Sequence, residues 1–189
     1  MNQDHIRRGV KQLLDGLGIN PSDPNFVDTA DRVSRYFVEA FSGAADTEAQ
    51  IDGLLSASFP CHHTQMIVAR GVETWGICPH HLLPVHYDVT VAYIPSSENA
   101  SVIGVSKLCR LVEILAHRPV LQEQIVNDVT SALMRLPGCL GAGCIARGEH
   151  GCMKVRGVKQ QNAVIVTSSL KGVFFSEPSA RAEFMALMR

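Results

Sequence analysis

Apolar residues recur at Ile6, Val10, Leu13, Leu14 and Leu17, the spacing of one helical face, and Gly18 supplies a stop. Ser22-Asp23-Pro24 then offers a cap and a first-turn proline. A second helical stripe follows at Phe26, Ala30, Val33, Phe37 and Phe41. Residues 44–62 are mixed and polar, which predicts a connection with at most a short helix. The pattern thus divides the chain into a helical extension over 1–62 and a main domain over 63–189.

In the main domain the period changes. Residues 65–74 read as a strand, and Val85, Tyr87, Val89, Val91 and Tyr93 alternate as a long second one, closed by Pro95 and a polar turn over 96–100. Ser106 is placed to cap a helix carrying Leu108, Leu111, Val112 and Leu115, which Arg118-Pro119 breaks. Another helix carries Leu121, Ile125, Val129 and Leu133. Residues 139–155 and 162–170 read as strands, and Pro178 opens a last helix. Strands in pairs, separated by pairs of helices, predict an α+β fold with an antiparallel sheet.

Composition narrows the class. With 189 residues, 46% of them hydrophobic and 19% charged, the chain can bury a real core. A net charge of -1 argues against broad nucleic-acid or membrane binding. No apolar run approaches the ~18 residues of a membrane span, and the first residues lack the apolar core of a signal peptide. These features predict a cytoplasmic protein. Six cysteines in a reducing compartment are then metal ligands or buried thiols before they are disulfides.

Cys78-Pro79-His80-His81 carries the chemistry. C-x-x-H lets one tight loop close two ligands on one ion, and thiolate with imidazole suits zinc. Adjacent side chains diverge, so Cys78 and His81 are the ligand pair and His80 is left for acid–base work. His150-Gly151-Cys152 offers a third ligand: on a strand, period two puts His150 and Cys152 on one face. Three protein ligands with an open position mark a catalytic zinc. Taken singly, each residue has a plainer reading. A lone cysteine is most often a small buried hydrophobe, and an arginine or glutamate on a helix is most often solvated. The constellation, not any member of it, carries the inference.

Five separated segments complete the pattern: Cys78–His81 before a strand ending Ala92-Tyr93-Ile94-Pro95; Gly104-Val105-Ser106-Lys107; Arg118-Pro119 with Leu121-Gln122-Glu123; His150 through Val158; and Thr167-Ser168-Ser169-Leu170. Together they resemble the GTP cyclohydrolase I family. That resemblance implies a tunnelling fold (T-fold), an antiparallel sheet with helices on one face, joined with other subunits into an oligomeric barrel. It implies a homo-oligomer, usually a decamer of two pentamers, with sites at subunit interfaces. It also implies zinc-dependent hydrolysis of GTP at C8 to formate and dihydroneopterin triphosphate.

Carried over residue by residue, the resemblance assigns the metal to Cys78, His81 and Cys152 and acid–base work to His80 and His150. Glu123 matches the guanine-reading carboxylate and Gln122 a neighbouring purine contact. Ser106, Lys107, Arg110 and Arg156 match triphosphate contacts, and Arg32 one reaching in from an adjoining subunit. Pro79 departs from the pattern, which usually has glutamate there. Two alternatives remain at this point: a zinc hydrolase acting on another purine nucleotide or stopping at the ring-opened intermediate, and a non-catalytic nucleotide-binding homologue. The second predicts a damaged metal or histidine set, which the sequence does not have.

Overall fold

The computed structural model describes residues 1–96 and 100–188. The N-terminal helix α1 spans Gln3–Gly16, capped by the Asn2 side chain, which accepts from the His5 N–H at 3.0 Å. Helix α2 spans Thr29–Ala40, not the stretch from Pro24. Asp23 instead closes a local turn by accepting from the Asn25 N–H at 2.8 Å, the competing use of an aspartate that favours turns over helix starts. A 3-10 turn at Ser42–Ala44 leads into α3, Thr47–Leu55, and then β1, Ser58–Pro60.

Strands β2, Ile67–Ile77, and β3, Pro84–Pro95, form a hairpin paired from Ile67↔Tyr93 to Ile77↔Pro84, with a shift of register between Ala69 and Val72. Residues 97–99 of the expected turn lie outside the described residues. Short β4, Ser101–Ile103, pairs antiparallel with β1. Helix α4 spans Val105–Ala116 and α5 spans Gln122–Leu133. Gly104, not Ser106, takes the cap position of α4. Strand β5, Cys139–His150, runs straight into a single helical turn, α6, Gly151–Lys154. Strand β6, Ile165–Gly172, a turn of helix α7, Val173–Ser176, and α8, Pro178–Leu187, complete the chain.

The main sheet has the order β2-β3-β5-β6 with every pair antiparallel. The alternation of β3 is what fixes its faces. Val85, Tyr87, Val89, Val91 and Tyr93 all point into the core under α4 and α5. Leu108, Leu111, Val112 and Leu115 of α4 meet them, each fully buried. Burial of this kind contributes about 1.5–3 kcal/mol per side chain. Ile51 and Leu54 of α3 join the same core. The long helices cover one face as expected, and α8 seals part of the other: Phe174 and Phe184 pack edge to face, centroids 5.3 Å apart, against Ala92 and Ile145. Among the described residues no helix is long and apolar enough to cross a membrane.

Candidate metal centre and nucleotide site

The β2–β3 turn builds the first half of the site. Cys78 donates its N–H to Leu83 O, and Leu82 donates to Cys78 O, each at 2.9 Å, with Leu82 in the left-handed region at φ 53°. These bonds tie the loop into one closed turn that carries Cys78, His80 and His81. The second half comes from the end of β5. His150 pairs with Val85, so the β5 terminus lies beside the base of the loop. Gly151 permits that approach, because a Cβ there would stand 2.8 Å from Pro84 O.

Cys152 is therefore not on a strand. The chain turns into α6 at Gly151, and the helical turn brings the Cys152 sulfur to 3.8 Å from that of Cys78. The expected neighbour is right and the expected geometry is not, because the strand ends at His150, two residues before Cys152 and five before the expected end at 155. The ligand atoms of Cys78, His81 and Cys152 all lie within 4.8 Å of one another. Two thiolates on one tetrahedral zinc, at bonds of roughly 2.3 Å, sit about 3.8 Å apart. Burial and the adjacent Cys78 sulfur push the Cys152 thiol up, a penalty that a divalent cation relieves. The donor set and its spacing thus fit zinc.

Both histidines flank this group. His80 is exposed, with Nδ1 3.8 Å from Cys78 Sγ and its ring turned 71° from that of His81. His150 is half-buried and stacks edge-on against Tyr87, centroids 6.3 Å apart. Burial pulls the His150 pKa down, and the nearby Glu123 carboxylate acts against this. Arg156 places Nη1 2.7 Å from His81 Nε2, so it reaches the metal group directly.

The nucleotide residues divide into two places. Glu123, exposed in the first turn of α5, lines a groove of about 400 Å³ with Pro79, Pro119, Val120, Leu121 and Gln124. That groove adjoins the metal loop through Pro79. Lys107 and Arg110 instead line a hollow of about 440 Å³ with Ser42, Gln50 and His117. Ser106 lies beside them at the start of α4. The other end of α4 is the end near the metal: Ala116 O packs against Gly76, two residues before Cys78. Lys107 to Ala116 is about 14 Å of helix axis. Arg32 is exposed near the start of α2, in an ion pair with Asp28 at 3.1 Å. One chain therefore brings together Cys78, His80, His81, Glu123, His150, Cys152 and Arg156, while Ser106, Lys107 and Arg110 lie on the first half of α4 and Arg32 on α2.

Gln122 makes contacts that the sequence does not signal. It is 3% exposed, and its amide group faces protein on every side. Nε2 donates to Ala146 O and Ile165 O, each at 3.0 Å, with Thr167 Oγ1 a third neighbour at 3.1 Å, and Oε1 meets His150 Nε2 at 2.9 Å. This geometry gives the Gln122 side chain a contact to His150. Nothing in local spacing signals it, since it depends on strand register. The Thr167–Ser169 segment also anchors α5: Thr130 Oγ1 and Ser169 Oγ are 2.8 Å apart.

Comparison with known proteins bears on the family of the whole chain. The sequence profile of GTP cyclohydrolase I matches residues 6–189. The GTP cyclohydrolase 1 of Dehalococcoides mccartyi is 34% identical over 188 residues, covering 100% of this chain and 97% of that protein. The GTP cyclohydrolase 1 of Thermobifida fusca is 35% identical over 188 residues, covering 100% and 89%. Among solved structures, archaeosine synthase QueF-Like in the apo form aligns at TM-score 0.43 and 15% identity, over 60% of this chain and 97% of that one. With the profile running from the first helix to the end and sequence shared along the full length, the chain belongs to the GTP cyclohydrolase I family.

Proposed function

We infer that this chain hydrolyses GTP at C8, releasing formate and giving 7,8-dihydroneopterin triphosphate. The observation that carries the reading is the Cys78, His81 and Cys152 group, closed within 4.8 Å, beside a groove holding Glu123. Zinc, when bound by those three residues, supplies an acidified water for addition at C8. His80 and His150 hold and move protons, first at the N7 side of the base and then as the opened sugar and pyrimidine reclose. Glu123 accepts from N1–H and the 2-amino group of guanine together. Adenine lacks that donor pair and leaves the carboxylate unmet.

Arg156 is placed to meet the substrate beside the metal, and Ser106, Lys107 and Arg110 to bind triphosphate at the start of a helix. The length of α4 between that set and the metal group of the same chain supports sites completed by neighbouring copies, with Arg32 from a further one. A homo-oligomer, a decamer of two pentamers in the family pattern, answers this need. The division at 62 and 63 is then functional: apart from Arg32, every assigned residue lies in 63–189. Six free cysteines suit a reducing, cytoplasmic setting.

The test is incubation of metal-analysed protein with GTP, following formate and products by mass spectrometry. Formate with dihydroneopterin triphosphate is expected. A ring-opened product without formate would establish the truncated reaction instead. Absence of turnover at one zinc per chain would exclude GTP as substrate.

A further inference from the structure

The four contacts of Gln122 are not equivalent, and their chemistry fixes which way its amide points. Ala146 O and Ile165 O are backbone carbonyls, and carbonyls only accept. The NH2 group must face them, with Thr167 Oγ1 as its third neighbour. Flipping the amide would set an oxygen against two oxygens in a site that is 3% exposed. Oε1 is thereby turned to His150, 2.9 Å from Nε2. An amide oxygen carries no proton, so this contact is a hydrogen bond only when His150 has its proton on Nε2.

We propose that Gln122 is a positioning residue for the reaction: it assigns the His150 tautomer, with the proton on Nε2 and Nδ1 as the nitrogen that exchanges protons with the substrate. The proposal rests on the reading of His150 as an acid–base group and adds which atom acts. Tyr87, 2% exposed, holds the same ring edge-on at 88°. Gly148 keeps the space open, since a Cβ there would lie 2.2 Å from Gln122 Oε1. When Nδ1 takes up a proton, the imidazolium keeps its Nε2–H bond to Gln122. When Nδ1 gives that proton back, the bond is again unchanged. The ring therefore serves as base and then as acid without turning, with a neutral partner that adds no second charge.

Neutron diffraction from the zinc-loaded wild-type protein in D2O reads the proton directly. Deuterium on Nε2, alone or together with Nδ1, is expected; deuterium on Nδ1 alone overturns the proposal. Gln122→Leu supplies the kinetic arm. It should lower kcat about 10- to 100-fold, with zinc content kept and KM for GTP within about twofold. A raised KM at unchanged kcat would make Gln122 a substrate contact and overturn the proposal. If that variant does not fold, the neutron result decides. His150→Ala with full turnover would remove the acid–base reading while leaving the tautomer result intact, so the two failures are distinguishable.

Discussion

Gly148→Ala tests the clamp around Gln122 through stability. The added Cβ would stand 2.2 Å from Gln122 Oε1, 3.0 Å from its Cδ and 3.0 Å from Tyr87 Cε1. An ordinary contact needs the amide to retreat by about 1 Å, which is enough to break hydrogen bonds of normal length. Losing the His150 bond and one Nε2 bond costs about 2 kcal/mol. Strain from the extra methyl adds about 1–3 kcal/mol. The stiffer backbone of alanine returns about 0.5–1 kcal/mol. The net expectation is a loss of about 2–4 kcal/mol, with kcat falling as His150 loses its partner. Gly53→Ala on α3 is the control, because its Cβ meets nothing within 4 Å; it should be neutral or stabilising by up to about 1 kcal/mol. Urea unfolding at equal protein and zinc concentration reads both variants. A Gly148→Ala protein within about 0.5 kcal/mol of wild type and equally active would refute the packing argument.

Three further outcomes are expected. Cys152→Ala should lose bound zinc and all turnover; a variant that keeps one metal per chain, measured by elemental analysis, would remove Cys152 from the ligand set. Glu123→Ala should lower kcat/KM for GTP by about 100-fold or more while leaving zinc in place, since a charged acceptor for two donors is lost. Competition assays with ATP read the same change, and unaltered exclusion of ATP would show that another group reads the base. Phe184→Ala should cost about 3–5 kcal/mol in urea unfolding, because a fully buried ring is replaced by a cavity. It lies on the sheet face away from α4 and α5, so zinc per folded chain should not change.

The sequence was legible where a signal is local. The alternation of β3 names its buried face residue by residue, because period two leaves each side chain only two faces to choose from. The Cys78–His81 loop was legible for the same reason, as one turn closes it. Elements held by distant partners were not. Strand β1 has three residues, and its identity comes from pairing with β4 across the β2–β3 hairpin. Helix α3 carries only Ile51 and Leu54 as buried positions, too few to show a period. The link from Gln122 to His150 spans 28 residues and exists because α5 starts over the β5–β6 pair. Motif matching placed Gln122 in the site but could not show its contact with His150.

Pro79 shows how geometry resolves a departure that sequence leaves open. Its missing N–H matters only if the loop needs a donor at that position. The turn is closed by the amides of Cys78 and Leu82, on either side of it. A fixed φ at 79 therefore restricts a loop whose bonds are already satisfied. The missing carboxylate acts at the groove. Among the groove's lining residues Glu123 is the one carboxylate, while Pro79 presents an apolar ring. A glutamate at 79 would add a second negative charge to that groove. Proline leaves Glu123 without that competitor, and it leaves the Cys78, His81 and Cys152 ligand atoms within reach of one ion. The change thus bears on the groove beside Glu123 rather than on the closure of the metal loop.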